Sequence, residues 1–281
     1  MNYSVMAKKI RKKKKQKKLP IKPILIGIVS ILIIGFTIHY RHGINYWWKV
    51  LSLKIEGKKM DDIQLTKYDV RNIEVMDRYY LNTFGLDVSQ YQGDIDWSQM
   101  NMIYDIYPIN FVFIRSTMGS FNSDSKFEYN WRGAKENGLI RGAYHFYRPD
   151  ENSTAQAQNF IQTVQLESGD LPPVLDIENM PKTQSMDRLI EGLKNWCTLI
   201  EAHYGVKPII YTSDKYHQDF LFDHFEGYTI WIANYNFFVE DMKAHWDFWQ
   251  FTEKAQIKGT KYKVDVNIYN GTVDGLKNLT L

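Results

Sequence analysis

The sequence predicts an α/β fold in which about eight strands form a parallel sheet closed into a TIM-like barrel, preceded by one transmembrane helix and a stem. Apolar runs alternate with helical stretches from about Gly85 onward, which is typical of a parallel sheet. Nearly every run ends in polar or aromatic residues, as expected where an active site lies at the C-terminal strand ends of a barrel. A dense basic run precedes an uncharged apolar segment near the N-terminus, which indicates a membrane anchor.

The predicted strands and helices follow from the spacing of the apolar runs. The runs lie at 84–88, 111–116, 142–147, 174–178, 208–212, 228–233, 245–251 and 264–266. The first five are far enough apart for crossover helices, with candidates at 125–137, 155–167 and 185–203. The last three follow closely, so we expect the final part to be strand-rich and less regular.

Composition and charge limit the classes of protein to which the chain can belong. Its 281 residues, 44% of them hydrophobic, suffice for one large domain plus appendages. The basic residues crowd the N-terminus, and the remainder is acidic overall, which argues against a nucleic-acid groove. A single cysteine, Cys197, excludes an intrachain disulfide, and its place in a predicted helix favours a buried, small apolar role.

The N-terminal segments predict an anchored protein with four parts. We assign residues 1–22 to a basic cytoplasmic tail, 23–40 to a transmembrane anchor, 41–82 to an extracytoplasmic stem and 83–281 to the catalytic domain. The anchor carries no charged residue apart from His39, and its length is near the lower limit of about 17 residues for a span.

The basic run before the anchor places the N-terminus inside and the domain outside, at the cell membrane. The run also suits contact with anionic lipid. The competing interpretation is a cleaved signal peptide, but no small-x-small cleavage site follows the apolar core.

Two carboxylates lie one residue apart at the end of the fourth predicted strand. Asp176 and Glu178 are expected on the same face of that strand, because side chains alternate along it. Burying two acids together is unfavourable, so such a pair indicates chemistry. The alternative is that both acids merely face solvent or cap the next helix.

Further candidates follow other predicted strands. Asp87 ends the first strand and Asp265 lies in the last. A lone Tyr or Trp is more often a core residue, and His145 is equally compatible with a hydrogen-bonded core histidine. The remaining strand-end candidates for substrate binding are Tyr144, His145, Tyr147, Tyr211, Asn234, Tyr235, Trp249 and Gln250.

Acids accompanied by aromatics suit the hydrolysis of sugars. One acid protonates the glycosidic oxygen while another group stabilises the oxocarbenium-like centre. Two residues along a strand span roughly 6.6 Å between Cα atoms. Carboxyl groups are about 5–5.5 Å apart in retaining enzymes and about 6.5–9.5 Å in inverting ones. Spacing therefore leaves both courses open, as well as attack by a substrate acetamido group. The absence of a His/Cys cluster argues against zinc.

An ordered set of motifs resembles glycoside hydrolase family 25. The motifs are GLDVSQYQGDIDW at 85–97, GAYHFY at 142–147, LDIE at 175–178, WIANY at 231–235, WQF at 249–251 and VDVN at 264–267. The family consists of N-acetylmuramidase-type lysozymes that cleave the β-1,4 bond after N-acetylmuramic acid in bacterial peptidoglycan. The resemblance implies an irregular (β/α)5(β)3 barrel.

The resemblance also implies roles for individual residues. Glu178 matches the general acid, and Asp176 matches its partner, a nucleophile or an orienter of the acetamido group. Asp87 and Asp265 match acids that shape the site, and Tyr144 and Trp249 match sugar contacts. One departure is RSTMG at 115–119, where members often carry a segment like KATEG.

The leading hypothesis is therefore an outward-facing, membrane-anchored peptidoglycan muramidase for local wall remodelling or lysis, with no metal or organic cofactor. Its expected partners are peptidoglycan glycan strands and membrane lipid. The alternatives are a wall-binding scaffold module with little or no hydrolytic activity and a glycosidase for another polysaccharide. A binding module has no need for a paired acid, which argues against the scaffold.

Overall fold

The protein is described by a computed structural model that covers residues 21–39, 66–237 and 241–281. The chain divides into two compact units, Met1–Lys58 and Lys59–Leu281. In the first unit the described residues form helix α1 (Ile21–His39). No helix in the described ranges is both long and apolar enough to cross a membrane. The structure thus does not show the predicted anchor, and most of the predicted tail and stem lies outside the described residues.

The second unit contains a closed barrel of eight strands. These are β1 (Thr83–Val88), β4 (Phe111–Met118), β6 (Ile140–Phe146), β7 (Val174–Asp176), β8 (Ile209–Ser213), β9 (Ile230–Ala233), β10 (Phe248–Ala255) and β11 (Val264–Tyr269). Strand β1 pairs with both β4 and β11, which closes the sheet. All neighbouring pairs are parallel except those made by β11, which is antiparallel to β1 and β10. The predicted eight-stranded α/β barrel is confirmed.

Minor strands and turns lie before and after β4. Two 3-10 turns, Gln90–Gln92 and Trp97–Gln99, follow β1. Strands β2 (Met102–Ile103) and β3 (Tyr107–Pro108) then form a small hairpin, and β5 (Asn122–Ser123) pairs with the end of β4. Each 3-10 turn begins at a side-chain cap: Ser89 accepts from the Tyr91 N–H, and Asp96 accepts from the Ser98 N–H.

Helices connect the middle strands and cover the barrel. They are α3 (Phe127–Glu136), α4 (Ser153–Thr163), α5 (Met186–Tyr204), α6 (Asp214–Tyr216), which continues into a π turn, and α7 (Val273–Lys277). Helix α5 starts at Ser185, whose side chain accepts from the Arg188 N–H, and ends at Gly205 in the left-handed region with φ 75°. The three predicted crossover helices overlap α3, α4 and α5.

One helix precedes the barrel within the segment that the sequence assigns to the stem. Helix α2 (Lys67–Arg78) begins at Thr66, which forms a capping box with Asp69. Its apolar face, including Val70, Val75 and Met76, is buried, and the helix packs against β10. In the structure this part of the predicted stem is an outer layer of the barrel.

The barrel interior is filled by aromatic side chains from alternate strand positions. Phe113 stacks on Trp231 with ring centroids 4.4 Å apart, and Phe111 and Phe248 pack edge-on against Phe113. The glycine that faces one of these rings leaves no room for a side chain. A Cβ on Gly142 would lie 2.6 Å from the Phe113 ring. This aromatic layer forms the floor beneath the C-terminal strand ends.

Candidate active site

The inward-facing side chains change from apolar to polar at the C-terminal end of the barrel. Two residues beyond Phe113 on β4 is Arg115, two beyond Val174 on β7 is Asp176, and two beyond Phe248 on β10 is Gln250. These positions border a cleft of about 470 Å³. Its lining residues are Asp87, Ser89, Tyr91, Gln92, Arg115, Tyr144, Phe146, Asp176, Glu178, Tyr211, Ser213, Trp231, Ala233, Tyr235, Gln250, Glu253 and Asp265.

Asp87 is a buried carboxylate held by two amide side chains. Its Oδ2 accepts from Gln250 Nε2 at 2.6 Å and from Asn267 Nδ2 at 2.8 Å. Burial raises the pKa of Asp87 to about 6, although the two amide hydrogen bonds oppose the rise and the nearby charge of Glu178 adds to it. Asp87 is therefore poised to change charge just below neutral pH.

Gln250 is oriented by two tyrosine hydroxyls. Tyr211 donates to Gln250 Oε1 at 2.6 Å, and Tyr235 donates to the same oxygen. With both acceptor positions occupied, the amide group turns its Nε2 toward Asp87. Tyr211, Tyr235 and Gln250, which lie in β8, after β9 and in β10, thus act together to fix the Asp87 carboxylate.

Asp265 faces Asp87 across the β1–β11 pair. The two residues are direct partners in the antiparallel register, so their side chains share the inner face. Burial raises the pKa of Asp265 well above its usual range, and the charges of Asp87 and Glu253 raise it further. Burial beside Asp87 and Glu253 therefore favours the protonated form of Asp265.

Asp176 is the last residue of β7, and Glu178 follows two residues beyond the strand. Asp176 is buried, whereas Glu178 reaches the open side of the cleft. Desolvation raises the pKa of Asp176 well above its usual range, and Glu178 and Asp87 add to the rise. The walls of the cleft also desolvate Glu178 and raise its pKa, against a lowering contact with Tyr211. Among the described residues, Asp176 Oδ1 has no hydrogen-bond partner.

Arg115 brings a cation into the acidic cleft. Its Nε donates to Asp124 at 2.8 Å, and its guanidinium lies 4.7 Å from the centre of the Tyr91 ring. Its charge opposes the rise in the pKa of Asp176. The ring of Tyr91 is therefore supported from below and exposes its other side at the rim of the cleft.

The arrangement suits proton transfer to a bound polar molecule. Several acids with raised pKa values share a cleft with aromatic faces, as general acid catalysis on a sugar requires. Within the described segments, no cluster of three or more His, Cys, Asp or Glu side chains has the geometry to hold a metal ion.

Comparison with known proteins agrees with this geometry. The family described as Glycosyl hydrolases family 25 matches residues 86–260, which include most of the barrel and three of the four cleft acids discussed above. The chain belongs to glycosyl hydrolase family 25.

Relatives in family 25 extend the similarity in both sequence and structure. The uncharacterised protein YegX of Escherichia coli (strain CFT073) is 33% identical over 255 residues, 90% of each chain. Lysozyme M1 of Streptomyces globisporus is 31% identical over 204 residues, 67% of this chain and 68% of that protein. A family 25 glycosyl hydrolase from Bacillus anthracis superposes with a TM-score of 0.64 at 28% identity, covering 72% of this chain and 95% of that structure. A bacterial lysozyme from Streptomyces coelicolor gives the same TM-score and identity, covering 71% and 97%.

The structure brings most of the sequence-predicted site residues together. The predicted residues that line the cleft are Asp87, Asp176, Glu178, Asp265, Tyr144, Tyr211, Tyr235 and Gln250. The four others, His145, Tyr147, Asn234 and Trp249, are not among the lining residues.

His145 and Tyr147 alternate with the inward-facing Tyr144 and Phe146, so they point to the outer side of the sheet. His145 bonds Thr117 Oγ1 at 2.7 Å and stacks on Trp196, while burial lowers its pKa to about 4. It is therefore a neutral core histidine. Tyr147 is also buried in the layer between the strands and helices.

Asn234 and Trp249 lie beside the cleft residues Tyr235 and Gln250. Asn234 Nδ2 donates to Asp214 at 3.1 Å, and the Trp249 indole N–H donates to the backbone oxygen of Asn234 at 3.0 Å. Trp249 is buried beneath α2. Both residues therefore pack behind the residues that line the cleft and do not border the cleft themselves.

Four further cleft residues were not among the candidates predicted from the sequence, and strand alternation indicates two of them. Arg115 and Trp231 lie on the inward parity of their strands, the same parity as Phe113 and Ala233, so the alternation alone could have identified them. Tyr91 lies in a turn and Glu253 follows a register shift in β10. These two had no periodic signal.

Proposed function

We propose that Glu178 donates a proton to the glycosidic oxygen of peptidoglycan and that Asp176 acts on the sugar whose anomeric bond breaks. As a member of family 25, the chain is a peptidoglycan hydrolase that cleaves the muramic acid linkage of the cell wall. The chemistry requires an acid that holds its proton near neutral pH and a second group at the anomeric carbon. The cleft offers one residue for each task.

The observation that carries this assignment is the contrast between the two acids. Glu178 is accessible from the cleft and has a raised pKa, which suits a proton donor to a large substrate. Asp176 is buried, and its Oδ1 lacks a hydrogen-bond partner among the described residues. Such an oxygen suits acceptance of a hydrogen bond from the acetamido N–H of the sugar.

Asp87 and Asp265 support the acid pair without touching the leaving oxygen. The pKa of Asp87 lies at about 6 and that of Asp265 is raised well above its usual range, so the charge that Asp87 places near Glu178 depends on pH. An ionised Asp87 disfavours ionisation of Glu178 and Asp176. The charge of Asp87 thereby favours the protonated forms of Asp176 and Glu178.

Exposed aromatic faces at the cleft provide the sugar contacts. Tyr91 and Tyr235 both line the cleft with large exposed surfaces, and the Tyr91 ring is backed by Arg115. Aromatic rings pack against the C–H faces of sugars. We expect the glycan strand to lie across these two rings.

Glu178→Gln tests the assignment because Gln keeps the shape and removes the proton donor. We expect release of dye-labelled peptidoglycan fragments to fall by more than about 100-fold, within the range of a lost general acid, while sedimentation with insoluble peptidoglycan persists. Glu226→Gln, at an exposed position outside the cleft, is the matched control. Full activity of Glu178→Gln would exclude this acid, and equal inactivity of the unaltered chain would favour a wall-binding scaffold.

We further propose that residues 23–40 hold the enzyme at the bacterial cell membrane, with the N-terminus inside and the barrel outside. The support comes from sequence: an uncharged apolar segment follows a lysine-rich run and precedes Tyr46, Trp47 and Trp48. The apolar side chains described in α1, such as Ile26 and Ile31, are exposed and so available to lipid.

Membrane fractionation tests this proposal. The full chain is expected in the membrane fraction after alkaline carbonate washing, with the barrel accessible to protease added outside the cell. A chain lacking residues 1–40 is expected in the soluble fraction. Recovery of a soluble mature protein that begins after residue 40 would support a cleaved signal peptide instead.

A further inference from the structure

Helix α2 lies outside the residues that match family 25, yet it contacts the segment that carries a cleft tyrosine. Its Arg71 is 5% exposed. Arg71 Nη2 donates to the backbone oxygen of Asn236 at 3.2 Å, and Nη1 donates to the backbone oxygen of Phe251. One guanidinium therefore joins the segment after β9 to strand β10.

A second side chain binds the same segment from β10. The indole N–H of Trp249 donates to the backbone oxygen of Asn234 at 3.0 Å. The Arg71 guanidinium lies 5.8 Å from the centre of the Trp249 ring, so the two groups form one packed cluster. Together they hold the backbone on both sides of Tyr235.

Tyr235 connects this cluster to the acids. Its hydroxyl donates to Gln250 Oε1, and Gln250 Nε2 donates to Asp87 at 2.6 Å. The continuous series of contacts is therefore Arg71, Asn236 backbone, Tyr235, Gln250 and Asp87. Arg71 and the Asn236 backbone do not line the cleft, so they can affect the reaction only through Tyr235 and Gln250.

We infer that Arg71 is a positioning residue for the reaction, which holds the Tyr235 hydroxyl against Gln250 and so fixes the hydrogen bonds of Asp87. The inference rests on the proposed function of the cleft. Packing of α2 is already supplied by apolar residues such as Val70 and Met76. The guanidinium adds directed hydrogen bonds, and burying a cation for packing alone would be unfavourable.

A double-mutant cycle on the full chain tests the inference. Arg71→Met keeps the length and apolar stem of the side chain, and Tyr235→Phe keeps the ring while removing its hydroxyl. We expect each single variant to lower kcat on uncrosslinked peptidoglycan strands by about tenfold, the loss typical of one charge-assisted or network hydrogen bond. KM is expected to stay within about twofold, because the sugar-facing ring is unchanged in Tyr235→Phe.

The combined variant distinguishes positioning from general loss of structure. If Arg71 acts through the Tyr235 hydroxyl, Arg71→Met adds little in the Tyr235→Phe background, so the two effects are strongly non-additive. Arg71→Lys, which keeps the charge but has one donor nitrogen in place of the two that Arg71 uses, should recover part of kcat. Lys67→Met, on the exposed face of the same helix, is the matched control and should retain full activity.

Two results would overturn the inference while leaving the muramidase function intact. One is unchanged kcat in a folded Arg71→Met variant, and the other is full additivity with Tyr235→Phe. If Arg71→Met does not fold, Trp249→Phe removes the second hold on the same segment and should show the same non-additivity with Tyr235→Phe; additivity there would reject the positioning account. No activity in the unaltered chain would instead contradict the proposed function.

Discussion

Removing the Asp87 carboxylate is expected to stabilise the fold above pH 6 while it harms the enzyme. Asp87→Asn keeps an oxygen that can accept from Gln250 and Asn267, the two amides that bind the native carboxylate. The change therefore removes a buried charge with little change in shape. Sites that hold unfavourable groups for function often gain stability when those groups are removed.

The structure gives the magnitude of this effect. The pKa of Asp87 rises from 3.8 to about 6 on folding, and each pKa unit corresponds to about 1.4 kcal/mol. A raised carboxyl pKa means that the folded state binds the proton more tightly than the unfolded state does. The stability from this proton is full below pH 3.8 and is lost as pH rises through about 6, a loss of about 3 kcal/mol.

Urea unfolding measured by tryptophan fluorescence between pH 4 and pH 7.5 provides the assay. We expect the free energy of unfolding of Asp87→Asn, relative to the native chain, to increase by about 2.5 kcal/mol across this range, most of the full linkage effect. Asp94→Asn is a control of opposite sign, because the exposed ion pair with Lys126 lowers the pKa of Asp94.

A constant difference between Asp87→Asn and the native chain across the pH range would refute this reasoning. So would a variant that loses stability relative to the native chain as pH rises. Either result would mean that Asp87 is not held at an unfavourable charge in the folded cleft.

Three further predictions concern the body of the barrel. Gly142→Ala places a Cβ against the Phe113 ring. Calorimetry should therefore show that overpacking lowers the free energy of unfolding by about 1–3 kcal/mol, and an unchanged melting temperature would contradict this. Arg141→Met leaves Asp170 as a buried charge without the Arg141 guanidinium, which lies 2.7 Å away in the native chain. Chemical unfolding should show that the free energy of unfolding falls by about 3–5 kcal/mol. A fall of less than about 1 kcal/mol would indicate that the pair contributes no more than a solvent-exposed salt bridge does. Cys197 is fully buried and burial raises its pKa, so iodoacetamide should modify it only after unfolding, as mass spectrometry can establish; rapid labelling of the native chain would be inconsistent with this burial.

Chemistry and strand parity together explain why the sequence selects acids that the structure places in the cleft. Asp87, Asp176 and Asp265 combine an acidic side chain with an inward position near the correct barrel end. Side-chain chemistry alone does not separate inward positions from their outward neighbours along a strand. His145 and Trp249 have suitable chemistry but lie next to the inward positions of Tyr144 and Gln250, and a pleated strand sends such neighbours to the outer side.

The precise relation of Asp176 to Glu178 did not follow from strand geometry. The sequence predicts both acids on one strand face, but β7 ends at Asp176 and Glu178 follows it. The depth of each acid therefore depends on the chain after the strand. This is why one acid is buried and the other is accessible, a difference that the i, i+2 spacing cannot express.

The role of α2 in the barrel could not be predicted from its own sequence. Its capping box and apolar positions are compatible with any amphipathic helix. The contact of Arg71 with Asn236 joins residues 165 positions apart in the chain. Such a contact depends on tertiary packing, which local patterns do not record.

The reducing ends of the products test the central claim most directly. The full chain and Glu178→Gln would each be incubated with purified peptidoglycan, and the products reduced with borohydride and analysed by mass spectrometry. Reduced N-acetylmuramic acid at new chain ends, absent from the Glu178→Gln reaction, is the predicted result. Reduced N-acetylglucosamine, or the same products from Glu178→Gln, would contradict the account of this cleft as a muramidase site with Glu178 as its acid.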